Sequence, residues 1–116
     1  MATVSINGTD VVETQSGTVT RYAWGSTRVY RIPVHSYFEH ATNMYFIVDS
    51  EVTLIDVALD TPQARADLEA GIETIRGEFR EDIGIEDIGG VVITHGHADH
   101  WGMLSNPMFS GKDVYI

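Results

Sequence analysis

The chain has no cysteine among its 116 residues. That absence removes disulfides, thiolate nucleophiles and thiolate metal ligands together, leaving any metal to His, Asp and Glu. Basic residues are scarce as well: seven Lys and Arg stand against seventeen Asp and Glu, a formal net charge of -10. Phosphate contacts need a positive face that this composition hardly supplies, so neither nucleic acid nor an anionic membrane surface is an expected partner. Long hydrophobic runs are missing too. The longest, Met44 to Val48, falls far short of the roughly 20 residues of a spanning helix, and the N-terminal region lacks a basic-then-apolar leader pattern. A cytoplasmic location is the default expectation. With 43% hydrophobic residues, 11 Gly and only 3 Pro, residues 1–116 read as a single globular domain.

The first third reads as short strands between turns. Val4 to Ile6 and Val11 to Thr14 flank Asn7-Gly8, a hairpin signal because both residues tolerate positive φ. Gln15-Ser16-Gly17 and Gly25-Ser26 punctuate the strands Thr18 to Ala23 and Arg28 to Ile32, and Pro33 is expected to close the latter. His35 to Thr42 carries no period and reads as a loop. Met44 to Val48 and Val52 to Ile55 then flank Asp49-Ser50-Glu51, which predicts a tight hairpin of largely buried strands. From Thr61 the period changes. Ala64, Leu68, Ile72, Ile75 and Phe79 form the stripe of an amphipathic helix, with Thr61 as cap and Pro62 in the first turn. Gly90 precedes Val91-Val92-Ile93, a β-branched run suited to a buried strand. Trp101 to Leu104 suggests a short helix before Asn106-Pro107, and Asp113 to Ile116 looks like a strand just starting.

Directly after the Val91–Ile93 run stands Thr94-His95-Gly96-His97-Ala98-Asp99-His100, with four candidate metal ligands. Imidazole and carboxylate suit zinc and, nearly as well, iron or manganese. Two His residues two apart at a strand end can converge on one ion, while Asp99 and His100 can turn toward a neighbouring ion. The plainer reading, a polar loop facing water, explains the clustering poorly, because packing gives no reason to gather imidazoles that each need a partner. The remaining imidazoles, His35 and His40, read as solvated loop residues. Tyr37, Phe38, Tyr45 and Phe46 read as core and rim, and Glu78, Glu81 and Asp82 as a solvated face.

Thr94 to Gly102 resembles the T-H-x-H-x-D-H-x-G signature of the metallo-β-lactamase fold superfamily. Asn43-Met44-Tyr45-Phe46-Ile47-Val48 followed by Val52-Thr53-Leu54-Ile55-Asp56 is similar to that family's N-x-Y-L-I hairpin ending in L-I-D. The resemblance implies that His95 and His97 bind a first metal and Asp99 and His100 a second, with zinc the first choice and iron or manganese as alternatives. It implies for Asp56 a role in ordering the ligand loop through hydrogen bonds without touching metal. The sequence departs from the family at Val57-Ala58-Leu59, where Thr-Gly is frequent, and at Trp101-Gly102-Met103, with one Gly where thioesterase-like members usually have two. Members are considerably longer, and the resemblance covers only their first half. The remainder normally supplies a third His to the first metal, a bridging Asp and a last His to the second.

The implied fold class is α+β: the N-terminal β-sheet-plus-helix half of an αββα sandwich, with 1–116 a truncated portion of the family domain. The implied function is metal-dependent hydrolysis of an ester, thioester or lactone-like bond in a small-molecule substrate, with Asp99 orienting the attacking water or accepting its proton. Two alternatives stand beside it. One is a non-catalytic, self-associating half-domain with weak or no metal binding, and the other a mononuclear iron dioxygenase-like protein. Half a sandwich leaves one sheet face bare, so a homodimer is the expected assembly.

Overall fold

Asn7 and Gly8 both take positive φ, 51° and 80°, and so turn the first strand back on the second without splaying the pair. From there the computed structural model describes residues 2–14, 18–36 and 40–116. Eight strands form one sheet in sequence order: β1 (Ala2–Ile6), β2 (Thr9–Glu13), β3 (Thr20–Trp24), β4 (Thr27–His35), β5 (Ala41–Val48), β6 (Val52–Ile55), β7 (Ile88–Val92) and β8 (Asp113–Tyr115). The first six are antiparallel neighbours, whereas β7 runs parallel to β6 and β8 parallel to β7. The crossover from β6 to β7 is the helix α1 (Pro62–Glu78). Thr61 caps it, accepting the Ala64 N–H at 3.1 Å, and Pro62 sits where a missing N–H costs nothing.

Register sorts the strand residues into two faces. Tyr30, Phe46, Leu54 and Val91 stand side by side across β4 to β7 and are almost wholly buried. They pack under Ala64, Leu68, Ile72 and Ile75, the buried stripe of α1. Alternate residues form the opposite face: Tyr22, Val29, Ile47 and Thr53 in one row, and Arg31, Tyr45, Ile55 and Val92 in the next. These are only half-buried, because α1 packs on the other face. Val4 and Ile6 extend that face from β1 and are exposed. Sheet and helix meet closely at Gly71, where an added Cβ would lie 2.6 Å from a methyl carbon of Ile32.

Three local expectations are corrected. Pro33 does not close its strand: it lies inside β4 opposite Asn43. The last β3 partner of β4 is Arg31, so β4 pairs on one side only at Pro33, where a missing donor is tolerated. The stretch expected as a loop from His35 to Thr42 is partly strand, with β4 running through His35 and β5 beginning at Ala41. The strand after α1 starts at Ile88, which pairs with Val52 while Gly90 pairs with Thr53, the register shifting at Gly89 between them. The proposed turn at Gln15-Ser16-Gly17 and the aromatics Tyr37 and Phe38 lie outside the described residues. Phe46 is fully buried and Tyr45 half-buried on the open face.

Glu81 is not a solvated face residue. Its carboxylate accepts from Arg28 Nε at 2.8 Å, Arg28 Nη2 at 3.0 Å and the Tyr30 hydroxyl at 3.0 Å. The hydrogen bonds from Arg28 hold its pKa below the ordinary carboxylate range against the opposing effect of burial. Burial foremost, with the nearby Glu81 charge, pushes Tyr30 up to about 12. Among the described residues no helix is long and apolar enough to cross a membrane.

Candidate metal centre

Past Val92 the chain leaves β7 and runs without regular structure from Ile93 to His97, then makes a 3₁₀ turn over Ala98–His100. Backbone hydrogen bonds stitch this loop to the segment after β6. Asp56 N–H donates to Val92 O at 2.8 Å, Val57 N–H to His100 O at 3.0 Å, and Met103 N–H to Ala58 O at 2.7 Å. Val57 and Ala58, at the position where the family frequently has Thr-Gly, are wholly buried. They anchor the loop through their backbone.

Asp56 is the hub. It holds φ at 61°, a left-handed conformation that Asp enters more readily than most side chains. Its side chain, 7% exposed, lies within hydrogen-bond distance of three donors. The Thr94 N–H donates to Oδ1 at 2.8 Å and the Thr94 hydroxyl to Oδ2 at 2.7 Å. His100 Nδ1 stands 2.8 Å from Oδ2. Burial pushes the Asp56 carboxyl up, but these hydrogen bonds from Thr94 and His100 outweigh it and leave the pKa below the usual carboxylate range.

An ionised Asp56 fixes the protons around it. A carboxylate only accepts, so His100 Nδ1 carries hydrogen, and in the neutral ring its Nε2 is then a lone pair. The one hydroxyl proton of Thr94 goes to Asp56. His95 Nδ1, 3.0 Å from Thr94 Oγ1, is therefore the donor of that pair, and in the neutral ring His95 Nε2 is then the lone pair. One buried carboxylate thus sets the tautomer of two imidazoles.

The rings converge. The His95 centroid lies 3.9 Å from that of His100 and 4.9 Å from that of His97. Asp99 Oδ2 is 3.6 Å from His100 Nε2. Asp56, His95 and His100 each offer a ligand atom within 4.8 Å of the others, although both Asp56 oxygens are already engaged in hydrogen bonds. The structure therefore brings all four loop candidates, His95, His97, Asp99 and His100, to one side of the strand end, with Asp56 beneath them. His35 and His40 are exposed and belong to no such group among the described residues.

The donor set fits a divalent cation. Three imidazole rings and a carboxylate converge, and no thiolate is present to select a softer ion. Three rings this close would repel one another as imidazolium ions, and a shared cation removes that conflict. Imidazole and carboxylate alone do not separate zinc from iron or manganese.

Thr42 is the residue that sequence reasoning passed over. It is 2% exposed and its hydroxyl donates to Asp99 O at 2.9 Å, with Asp99 Oδ2 at 3.3 Å. Its signal was a polar residue in phase with Met44, Phe46 and Val48, visible only once β5 is known to begin at Ala41. The Trp101 indole N–H donates to Gly96 O at 2.8 Å, a tie inside the ligand loop that no spacing announces.

A sheet covered by a helix on one face, with a His and Asp cluster where its parallel strands end, defines an α+β protein built around a candidate metal centre. The family model for the metallo-beta-lactamase superfamily matches residues 37–105, more than half of the chain, and the chain belongs to that superfamily. Among solved structures it is similar to the metallo-beta-lactamase family protein TTHA1429 from Thermus thermophilus, at 28% identity and TM-score 0.59, covering 74% of this chain and 27% of that one. It is also similar to the metallo-beta-lactamase FIM-1 from Pseudomonas aeruginosa, solved in a mono-zinc form, at 22% identity and TM-score 0.45, covering 84% and 41%. A metallo beta lactamase from Erythrobacter litoralis matches at 11% identity and TM-score 0.47, covering 97% and 43%. The chain thus spans less than half the length of each of these structures. A search of curated proteins found no match.

Proposed function

We propose that this chain carries the metal-binding loop of a metal-dependent hydrolase acting on an ester, thioester or lactone-like bond of a small molecule. Superfamily membership supports metal-dependent, hydrolase-like chemistry at that general level. The observation that carries the reading here is the convergence of the His95 and His100 rings, His100 paired with Asp56 directly and His95 through the Thr94 hydroxyl, beside His97 and Asp99. His95 and His97 would hold a first ion and Asp99 and His100 a second. A bound zinc ion supplies Lewis acidity and brings the pKa of a coordinated water close to neutrality. The chain's own residues do the rest. Asp56 keeps the imidazoles in the tautomer that ligates, Thr42 fixes the Asp99 backbone and carboxylate, and Asp99 orients the attacking water or takes its proton.

Only two protein ligands per ion come from this loop, fewer than the three or four of a stable zinc site. The isolated chain is therefore a weak catalyst. Assays of the zinc-loaded chain with a thioester, a lactone and a chromogenic β-lactam test the reading. Slow hydrolysis, well below the ~1–10³ s⁻¹ common for enzymes, that disappears with a chelator and in His95→Ala is the expected result. Hydrolysis indifferent to both treatments would remove the proposal.

The open sheet face supports a second element of the reading, self-association. Tyr22, Val29, Tyr45, Ile47, Ile55 and Val92 present apolar surface on the side that α1 does not cover. A twofold pairing of two such faces buries it with no further partner.

A further inference from the structure

We propose that Trp101 is the positioning residue for His97: its indole N–H, given to Gly96 O, sets where that imidazole stands in the metal centre. The proposal rests on the metal-dependent reading above and adds to it the residue that organises the second ligand of the first ion. Each of the other loop candidates has an anchor of its own. His100 Nδ1 is paired with Asp56 at 2.8 Å, His95 Nδ1 with the Thr94 hydroxyl at 3.0 Å, and Asp99 O with the Thr42 hydroxyl at 2.9 Å. The His97 ring makes no hydrogen bond among the described residues. What it touches is His95, with ring centroids 4.9 Å apart. It is the outlying member too: Asp56, His95 and His100 offer ligand atoms within 4.8 Å of one another, and His97 is not in that group.

The bond from Trp101 falls where His97 needs it. The indole N–H donates to Gly96 O at 2.8 Å, five residues back in the chain, and so closes a loop that contains His97, Asp99 and His100. Gly96 O belongs to the peptide plane that also carries the His97 nitrogen, and aiming the carbonyl of a planar peptide fixes the next Cα. On the other side of His97, its own carbonyl accepts the His100 N–H at 2.9 Å. The His97 backbone is thus held from both ends. Without the indole the near end is loose: Gly96 has no positive φ, and a Cβ added there would meet nothing within 4 Å. Neither strain nor packing restrains this glycine, and no residue type has more backbone freedom to lose. A ring ordered in advance gives up less freedom when it takes a cation. The coupling is reciprocal, so whatever factor the bond adds to metal affinity, the metal returns to the stability of the bond.

The test uses the 116-residue chain, metal-free, titrated with zinc in competition with a chromogenic chelator. Trp101→Phe keeps an aromatic ring and gives up the N–H. It is expected to lower zinc affinity about two- to tenfold, the worth of one ordinary hydrogen bond. In a His97→Ala background the same substitution should cost nothing further, because the residue it acts through is gone. A general loosening of the fold would cost the same in both backgrounds. The unaltered chain supplies a second reading that needs no variant. It has two tryptophans, and saturating zinc should slow solvent exchange of the Trp101 indole proton about two- to tenfold. That of Trp24, the last residue of β3, should stay as it was. Should Trp101→Phe fail to fold, the indole exchange decides the matter. Unchanged zinc affinity in Trp101→Phe, an equal loss in both backgrounds, or indole exchange indifferent to zinc overturns the assignment and leaves the metal reading intact. A chain that binds no zinc removes the hydrolase reading and this proposal with it.

Discussion

Asp56 occupies a backbone conformation that costs a non-glycine residue on the order of 1–3 kcal/mol, and the three donors around its carboxylate are what hold it there. Strain at the foot of a ligand loop is in keeping with a site that needs its imidazoles fixed before a cation arrives. Thr42 does for Asp99 what Asp56 does for His100, by a hydroxyl in place of a carboxylate. Thr42→Val is expected to weaken zinc binding by about 10–100-fold, the usual effect of losing a residue that orients a ligand, and Thr42→Ser to recover most of it. Competition with a chromogenic chelator measures both. Equal affinity in the two variants would mean that Thr42 only fills space. The four loop candidates were legible in the sequence because their spacing is compact and local. Thr42 was not, because its partner Asp99 is distant in sequence and meets it only through the order of the strands.

At the scale of elements, the contact of α1 with β4 reverses a common expectation. Gly→Ala on a helix ordinarily stabilises by about 0.5–1 kcal/mol. At Gly71 the new methyl would strike Ile32, which is branched at Cβ and 1% exposed. Gly71→Ala should therefore destabilise the chain by about 1–3 kcal/mol, read as a lower denaturation midpoint at unchanged slope. A rise in the midpoint would show that the helix can back away.

Behind the helix end, Arg28, Tyr30 and Glu81 link β4 to the segment after α1, and they set a pH window. Glu81 has a folded pKa below its ordinary 4.5, so its contribution is present above that value and is lost as pH falls through the folded one. Tyr30 is raised from 10.0 to about 12, so its contribution is present below pH 10.0 and is lost as pH climbs through that interval. Between these limits the contributions of Glu81 and Tyr30 are constant. Glu81→Gln should shrink the acid limb, and an acid limb of unchanged depth in that variant would place the titration elsewhere. The helix and its cap were legible because the apolar period and Thr61-Pro62 are local signals. The extent of β4 was not, since Pro33 is admitted only by the absence of a β3 neighbour at that level, which is a property of the sheet.

For the whole molecule the asymmetry of the sheet is decisive: one face lies under α1 and the loops, the other is half-open from Val4 to Val92. Light scattering at micromolar concentration is expected to report a dimer, and Ile47→Lys, a charge placed on the open face, to return it to a monomer. A compact 12.8 kDa monomer with cooperative unfolding would show that the face tolerates water as it stands. The central claim is narrower, that the loop from His95 to His100 is a metal centre, and calorimetric titration of the metal-free chain with zinc tests it most directly. Saturable binding of at least one equivalent, lost in His95→Ala and weakened in Asp56→Asn, is the predicted result, and weak binding of the same strength in all three proteins would contradict it.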